Sequence, residues 1–148
     1  MIRPFRDDDR RFVLSGWSAS WRSSRDIAFV PFDSWPAYSH PLILAALDRV
    51  TTLVDEGIDR RGFISFEGNC VWYCYVALPF RGYGIARDLF AAAGIDPSMP
   101  FDYAVRTKAS WECRHKIPLA HYAPYRARSR KETDEQRTEQ AVPAVERR

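Results

Sequence analysis

Cys70-Val71-Trp72-Tyr73-Cys74-Tyr75-Val76-Ala77-Leu78 runs into Pro79-Phe80-Arg81-Gly82-Tyr83-Gly84-Ile85-Ala86, and that into Arg87-Asp88-Leu89-Phe90-Ala91-Ala92-Ala93-Gly94. The first stretch is almost wholly aromatic and β-branched, the composition of a buried central strand. In the last, Ile85, Leu89 and Phe90, with Ala86 and Ala93, make one helical stripe, and Gly94 is a natural stop. Between them, Gly82 and Gly84 allow a tight turn and close approach of a ligand to the backbone. The first amides of the helix lack intrahelical acceptors and, with the helix dipole, favour an anion. The order strand, glycine loop, helix therefore predicts a phosphate-binding junction. A Walker loop is excluded because no Gly-Lys-Ser/Thr follows. The dinucleotide fingerprint is excluded because no third glycine completes it.

Upstream, Ile2–Phe5 reads as a short strand. Asp7, Asp8 and Asp9 then offer caps for a helix whose Phe12, Val13, Trp17 and Trp21 recur at helical spacing. Gly16 and the serines beside it make that helix narrow on one face. Residues 29–41 read as a proline-broken aromatic loop, with Pro41 in the first turn of a second helix over Leu42–Arg49. Three strands follow, over Val50–Val54, Gly62–Glu67 and Cys70–Leu78. Asp55-Glu56-Gly57 and Gly68-Asn69 supply the turns. After the loop and its helix, Phe101–Arg106 reads as a strand and Ala109–Lys116 as a last helix, broken by Pro118.

Arg81-Gly82-Tyr83-Gly84-Ile85-Ala86 resembles the acyl-CoA loop of the GNAT (Gcn5-related N-acetyltransferase) superfamily, whose motif reads Arg/Gln-x-x-Gly-x-Gly/Ala. The Val76-Ala77-Leu78-Pro79 lead-in and the order of elements are similar too. The resemblance covers residues 1–125. It implies an α+β GNAT fold, with a mixed, mainly antiparallel central sheet flanked by helices and two central strands splayed at the acyl-CoA site. The helix Ser15-Gly16-Trp17-Ser18-Ala19-Ser20-Trp21 also resembles small bacteriophage members of that superfamily.

The implied activity is transfer of an acetyl group from acetyl-CoA, the cosubstrate, to a primary amine by direct attack on the thioester, without a metal. Such chemistry needs a neutral amine, an oxyanion donor and an acid for the departing thiolate. By the resemblance, Val76, Leu78, Arg81, Gly82, Tyr83, Gly84, Ile85 and Ala86 hold the CoA. A backbone N–H near Tyr75 or Val76 is the oxyanion donor. The acceptor lies among Trp17, Trp21, Phe32, Trp35, Tyr38 and His40. Thr107–Arg114 departs from the family pattern, having neither its Asn nor its Tyr. Tyr122 and Tyr125 are therefore the candidate acids, and Glu67 is the candidate base. The alternatives are a CoA-binding GNAT fold without turnover, and a phage enzyme modifying nucleic acid.

The remaining composition agrees with one such domain. The chain has 148 residues, 46% hydrophobic and 28% charged, which is globular composition. Its 22 Lys and Arg against 19 Asp and Glu leave a formal charge of +3, too little to predict a nucleic-acid binder by itself. Apolar runs are too short to span a bilayer, and the amino terminus does not read as a signal peptide. Three cysteines at 70, 74 and 113 read as reduced thiols, so the expected location is the cytoplasm, or the host cytoplasm for a phage protein. From Arg126 to Arg148 the chain has no aromatic residue and little apolar periodicity, so residues 126–148 are expected to form a charged, disordered tail.

Overall fold

The computed structural model describes residues 1–127; the rest of the expected tail, 128–148, lies outside the described residues. The protein is α+β. Its six-stranded mixed sheet has the order β1 (Ile2–Pro4), β2 (Thr51–Glu56), β3 (Arg60–Glu67), β4 (Cys70–Val76), β5 (Phe101–Tyr103) and β6 (Ala120–Tyr122). The first four strands are antiparallel, whereas β4–β5 and β5–β6 are parallel. Helices α1 (Arg10–Trp21) and α2 (Trp35–Arg49) cover one face, and α3 (Ile85–Ala92) the other. A short α4 (Lys108–Glu112) lies in the crossover from β5 to β6.

Each face has its own core. Val13, Trp17 and Ile43 of the helices meet Val54, Phe63 and Tyr73 of the sheet on one side. Leu89 and Ile85 of α3 meet Ile64, Val71 and Phe101 on the other. The alternation of side chains along β3, Phe63 to one face and Ile64 to the other, produces this division. Both are fully buried, each worth about 1.5–3 kcal/mol in transfer energy. Gly62 brings α3 close to the sheet: a Cβ there would lie 2.7 Å from the Tyr75 carbonyl oxygen and 3.4 Å from Ile85 and Leu89.

Several boundaries differ from the sequence reading. The second helix begins at Trp35, so Pro41 lies inside it and residues 35–41 are not loop. Tertiary docking overrides the proline: Trp35 is buried, and its indole N–H donates to the Ser18 carbonyl at 2.9 Å. The β5 strand ends at Tyr103, three residues early, and the helix predicted over 109–116 is α4 followed by a 3-10 turn at Arg114–Lys116. The aromatic end of the chain adds β6, with Tyr103 opposite Tyr122. Arg126, counted with the tail, pairs with Asp102 at 2.8 Å.

An ion-pair network secures β1 to α1. Arg3 and Asp9 are both buried; Arg3 donates from Nη1 and Nη2 to the Asp9 carboxylate at 2.7 and 2.9 Å. Asp9 also accepts from the Arg6 amide at 2.8 Å and from Arg60 Nε. Though burial alone would raise it, these bonds hold the Asp9 carboxyl well below the usual carboxylate range. Among the described residues, no helix is long and apolar enough to cross a membrane.

Candidate functional site

The parallel pairing of β4 with β5 is brief. Asp102 N–H donates to the Asn69 carbonyl at 3.1 Å and Ala104 N–H to the Val71 carbonyl at 2.9 Å, and there the ladder stops. A bulge lies at this point. Phe66 faces Val71 and Ser65 faces Tyr73, so Trp72 has no opposite number. The extra residue bends β4 and puts Trp72 and Tyr73 in the same core. Beyond it the two strands part.

The backbone groups that line this opening follow from the β3–β4 register. The Ala77 amide donates to the Arg61 carbonyl at 2.8 Å, so Arg61–Ala77 is a hydrogen-bonded pair and Phe63–Tyr75 is the next. Tyr75 therefore turns its N–H toward β3, whereas Cys74 and Val76 turn theirs to the open side. Of the two expected oxyanion donors, only Val76 has its amide there. The Val76 carbonyl accepts from Arg81 Nε at 2.9 Å, which folds the Arg81 side chain back over the end of β4.

The loop after β4 presents its amides as the glycine spacing requires. Gly82 has φ +87° and Gly84 +80°, a region that L side chains rarely adopt. Gly84 caps α3, and the first helical bond runs from the Asp88 amide to the Gly84 carbonyl. The amides before it are left without an intrahelical acceptor. A Cβ at Gly82 would meet nothing within 4 Å, so the space over this stretch of backbone is open. Tyr83 and Leu78 are exposed, while Ile85 is buried under the loop. A diphosphate fits these residues: amides without an intrahelical acceptor, a helix N-terminus, Arg81 beside them and the Arg87 guanidinium against Gly84.

On the α1–α2 face lies a cleft of about 240 Å³, bounded by Trp72 of β4 and by Ala104–Arg106 just after β5. Its wall is mostly apolar, with Trp17, Trp21, Leu42, Ile43, Trp72 and Val105 prominent. Of the expected acceptor set, Trp17 and Trp21 line it. Trp17 stacks on Tyr73 with centroids 4.7 Å apart. Phe32, Trp35, Tyr38 and His40 stand outside the lining: Trp35 is buried with Ile27 and Val30, and Phe32 is exposed.

The expected proton carriers separate. Tyr122 lines the cleft and donates its hydroxyl to Asp26 Oδ2 at 2.9 Å. Burial and the nearby carboxylate raise its pKa, so the phenol stays protonated at neutral pH. Tyr125 is exposed and outside the lining. Glu67 sits at the β3–β4 hairpin, opposite Cys70, and is ion-paired to Arg49 at 3.2 Å. It is at the paired end of β4, about 20 Å of strand from Val76. Burial pushes the Cys74 thiol up to about 12, an inert state for a nucleophile.

Asp26 and Arg106 were not singled out in the sequence. Arg106 donates from Nη2 to Asp26 Oδ1 at 2.7 Å and from Nε to Oδ2 at 3.2 Å, at the rim beside Tyr122. Arg106, and then Tyr122, lower the Asp26 pKa. Neither residue belongs to a local motif, and 80 positions separate them, so no sequence signal pairs them.

No protein-family model matches the chain, and no curated protein sequence is similar to it. Solved structures are similar. A GCN5-related N-acetyltransferase from Ralstonia eutropha is 18% identical over 100% of this chain and 95% of its own, with a TM-score of 0.49. A ribosomal-protein-alanine N-acetyltransferase from Brucella melitensis is 15% identical over 100% and 94%, with a TM-score of 0.48. A GCN5-related N-acetyltransferase from Rhodopseudomonas palustris is 19% identical over 64% of this chain, with a TM-score of 0.48; the match spans 62% of that protein's length.

Proposed function

We propose that the protein is an acyltransferase that takes an acetyl group from acetyl-CoA to a primary amine. The observation that carries this reading is the opening between β4 and β5. Beyond Val71 and Tyr103 the backbone of β4 is not paired with β5; the Gly82–Ala86 amides follow this unpaired stretch in the chain, and Trp72, at its start, lines the apolar cleft. Those amides, with Arg81 swung out from Val76, hold the diphosphate. The bound cosubstrate would supply a thioester along the unpaired edge of β4, where the Cys74 and Val76 amides, turned away from β3, are available to stabilise an oxyanion. The apolar cleft favours the neutral, nucleophilic form of the amine by withholding solvent from the ammonium. Tyr122 is the proton donor for the thiolate, with the Arg106 guanidinium 4.2 Å from its ring centre to stabilise the phenolate left behind.

A second reading, a CoA-binding protein without turnover, is favoured by one observation: the Tyr122 proton is directed at Asp26. Calorimetry with acetyl-CoA and a free-thiol assay across a panel of amines separate the two. Binding with amine-dependent CoA release supports transfer. Binding with no release for any amine supports the second reading, and no binding at all refutes both.

A further inference from the structure

Asp26, Arg106 and Tyr122 meet at the cleft rim from three distant parts of the chain. We propose that Arg106 determines specificity there, and that the acceptor is a small amine with an aromatic or apolar body and a carboxylate, the chemistry of an aromatic α-amino acid. This rests on the acyl-transfer reading, whose acceptor class it names.

The argument begins with Asp26. Both of its oxygens are engaged: Oδ1 accepts from Arg106 Nη2, and Oδ2 accepts from Arg106 Nε and the Tyr122 hydroxyl. A carboxylate so committed is a poor first partner for an incoming ammonium. Among the described residues, Arg106 hydrogen-bonds on one edge only. Asp26 takes Nε and one hydrogen of Nη2, and leaves the Nη1 edge of the fork to a further acceptor. The guanidinium is fixed on its Asp26 edge and against the Tyr122 ring, so little rotamer entropy remains to be lost when a second carboxylate binds it bidentately.

The rest of the wall points the same way. Trp17 and Trp72 contribute broad aromatic surface to the cleft. The other prominent wall residues, Trp21, Leu42, Ile43 and Val105, offer no hydrogen-bonding acceptor in their side chains. A second cation stands close by: Arg22 Nη1 donates at 3.5 Å to the carbonyl of Ile27, itself a wall residue. The wall is thus largely apolar and aromatic, suited to a flat body, with the Arg106 guanidinium as its donor at the rim. Its volume of about 240 Å³ suits a ligand smaller than drug-sized ones.

The test compares three probes on the full chain by calorimetry and tryptophan fluorescence: 3-phenylpropionate, phenethylamine and L-phenylalanine. The expected result is that the two carboxylates bind ~10-fold or more tightly than phenethylamine, as a charge-assisted pair would give. Arg106→Gln removes that preference, and Arg106→Lys, which keeps the charge but not the fork, retains only part of it. Phenethylamine binding as tightly as the carboxylates, or an unchanged preference in a folded Arg106→Gln protein, overturns the proposal. If the glutamine variant does not fold, the parental comparison and the lysine variant still decide. Acetyl-CoA is titrated separately: its failure to bind sinks the transferase reading, whereas the probe ranking alone decides the acceptor class.

Discussion

Replacing Gly82 by Ala separates the cost of a backbone conformation from the loss of a ligand contact. Gly82 has φ +87°, and an added Cβ meets nothing within 4 Å. The folded protein therefore loses only the left-handed penalty, about 1–2 kcal/mol. At ~2.1 cal/mol/K per residue over the 127 described residues, that lowers the melting temperature by about 4–7 °C. Gly68, in the β3–β4 hairpin, is the matched control: its φ is +58°, and a Cβ there is equally unobstructed. It lies at the opposite end of β4, so Gly68→Ala should cost similar stability and leave acetyl-CoA binding unchanged. In Gly82→Ala the methyl occupies the space in front of the loop amides. Losing one charge-assisted hydrogen bond to the diphosphate, about 1.5–3 kcal/mol, weakens acetyl-CoA about 10- to 100-fold. Thermal melts and calorimetry on both variants make the comparison. Equal acetyl-CoA affinity in the two would refute the placement of the diphosphate on these amides.

Asp9→Asn removes one of the two carboxylates paired with buried Arg3, leaving Glu56 at 2.6 Å, and should cost about 1.5–3 kcal/mol in urea unfolding at pH 7; a loss below 1 kcal/mol would show that Glu56 alone satisfies Arg3. Because the folded Asp9 pKa is depressed, its contribution is complete above the unfolded carboxylate value and is lost as pH falls below about 4. The parental stability should drop steeply there, and Asp9→Asn should flatten that slope. Gly16→Ala brings a methyl to 2.7 Å from the Tyr75 ring, so a loss of about 1–3 kcal/mol is expected, and an unchanged melt would mean that the ring moves freely. Tyr122→Phe should slow amine-dependent CoA release by about 10²-fold with little change in acetyl-CoA affinity; parental turnover would assign the proton to another donor.

The chain by itself determined what local chemistry dictates. The β4 composition, the paired glycines and the Ile85–Leu89–Phe90 stripe fix a strand, a left-handed turn and a helix within 25 residues, and each part needs only its neighbours. The turn at Gly68–Asn69 is equally local, whereas the one expected at Asp55–Gly57 falls two residues later, at 57–59, because Asp55 and Glu56 pair with Gly62 and Arg60 and extend β2. Tertiary structure decided what depends on distant partners. Trp35 starts a helix across two prolines because its indole finds the Ser18 carbonyl. The bulge at Trp72 is a matter of register against β3, which side-chain alternation alone does not reveal. The strand β6 forms only because β5 leaves an edge for it, bringing Tyr122 into the cleft while Tyr125, three residues on, stays exposed. The Asp26–Arg106 pair had no sequence signal, since a salt bridge between residues 80 positions apart exists only once the sheet and α1 have set both ends. The glycine loop was thus readable, while the cleft was built by packing.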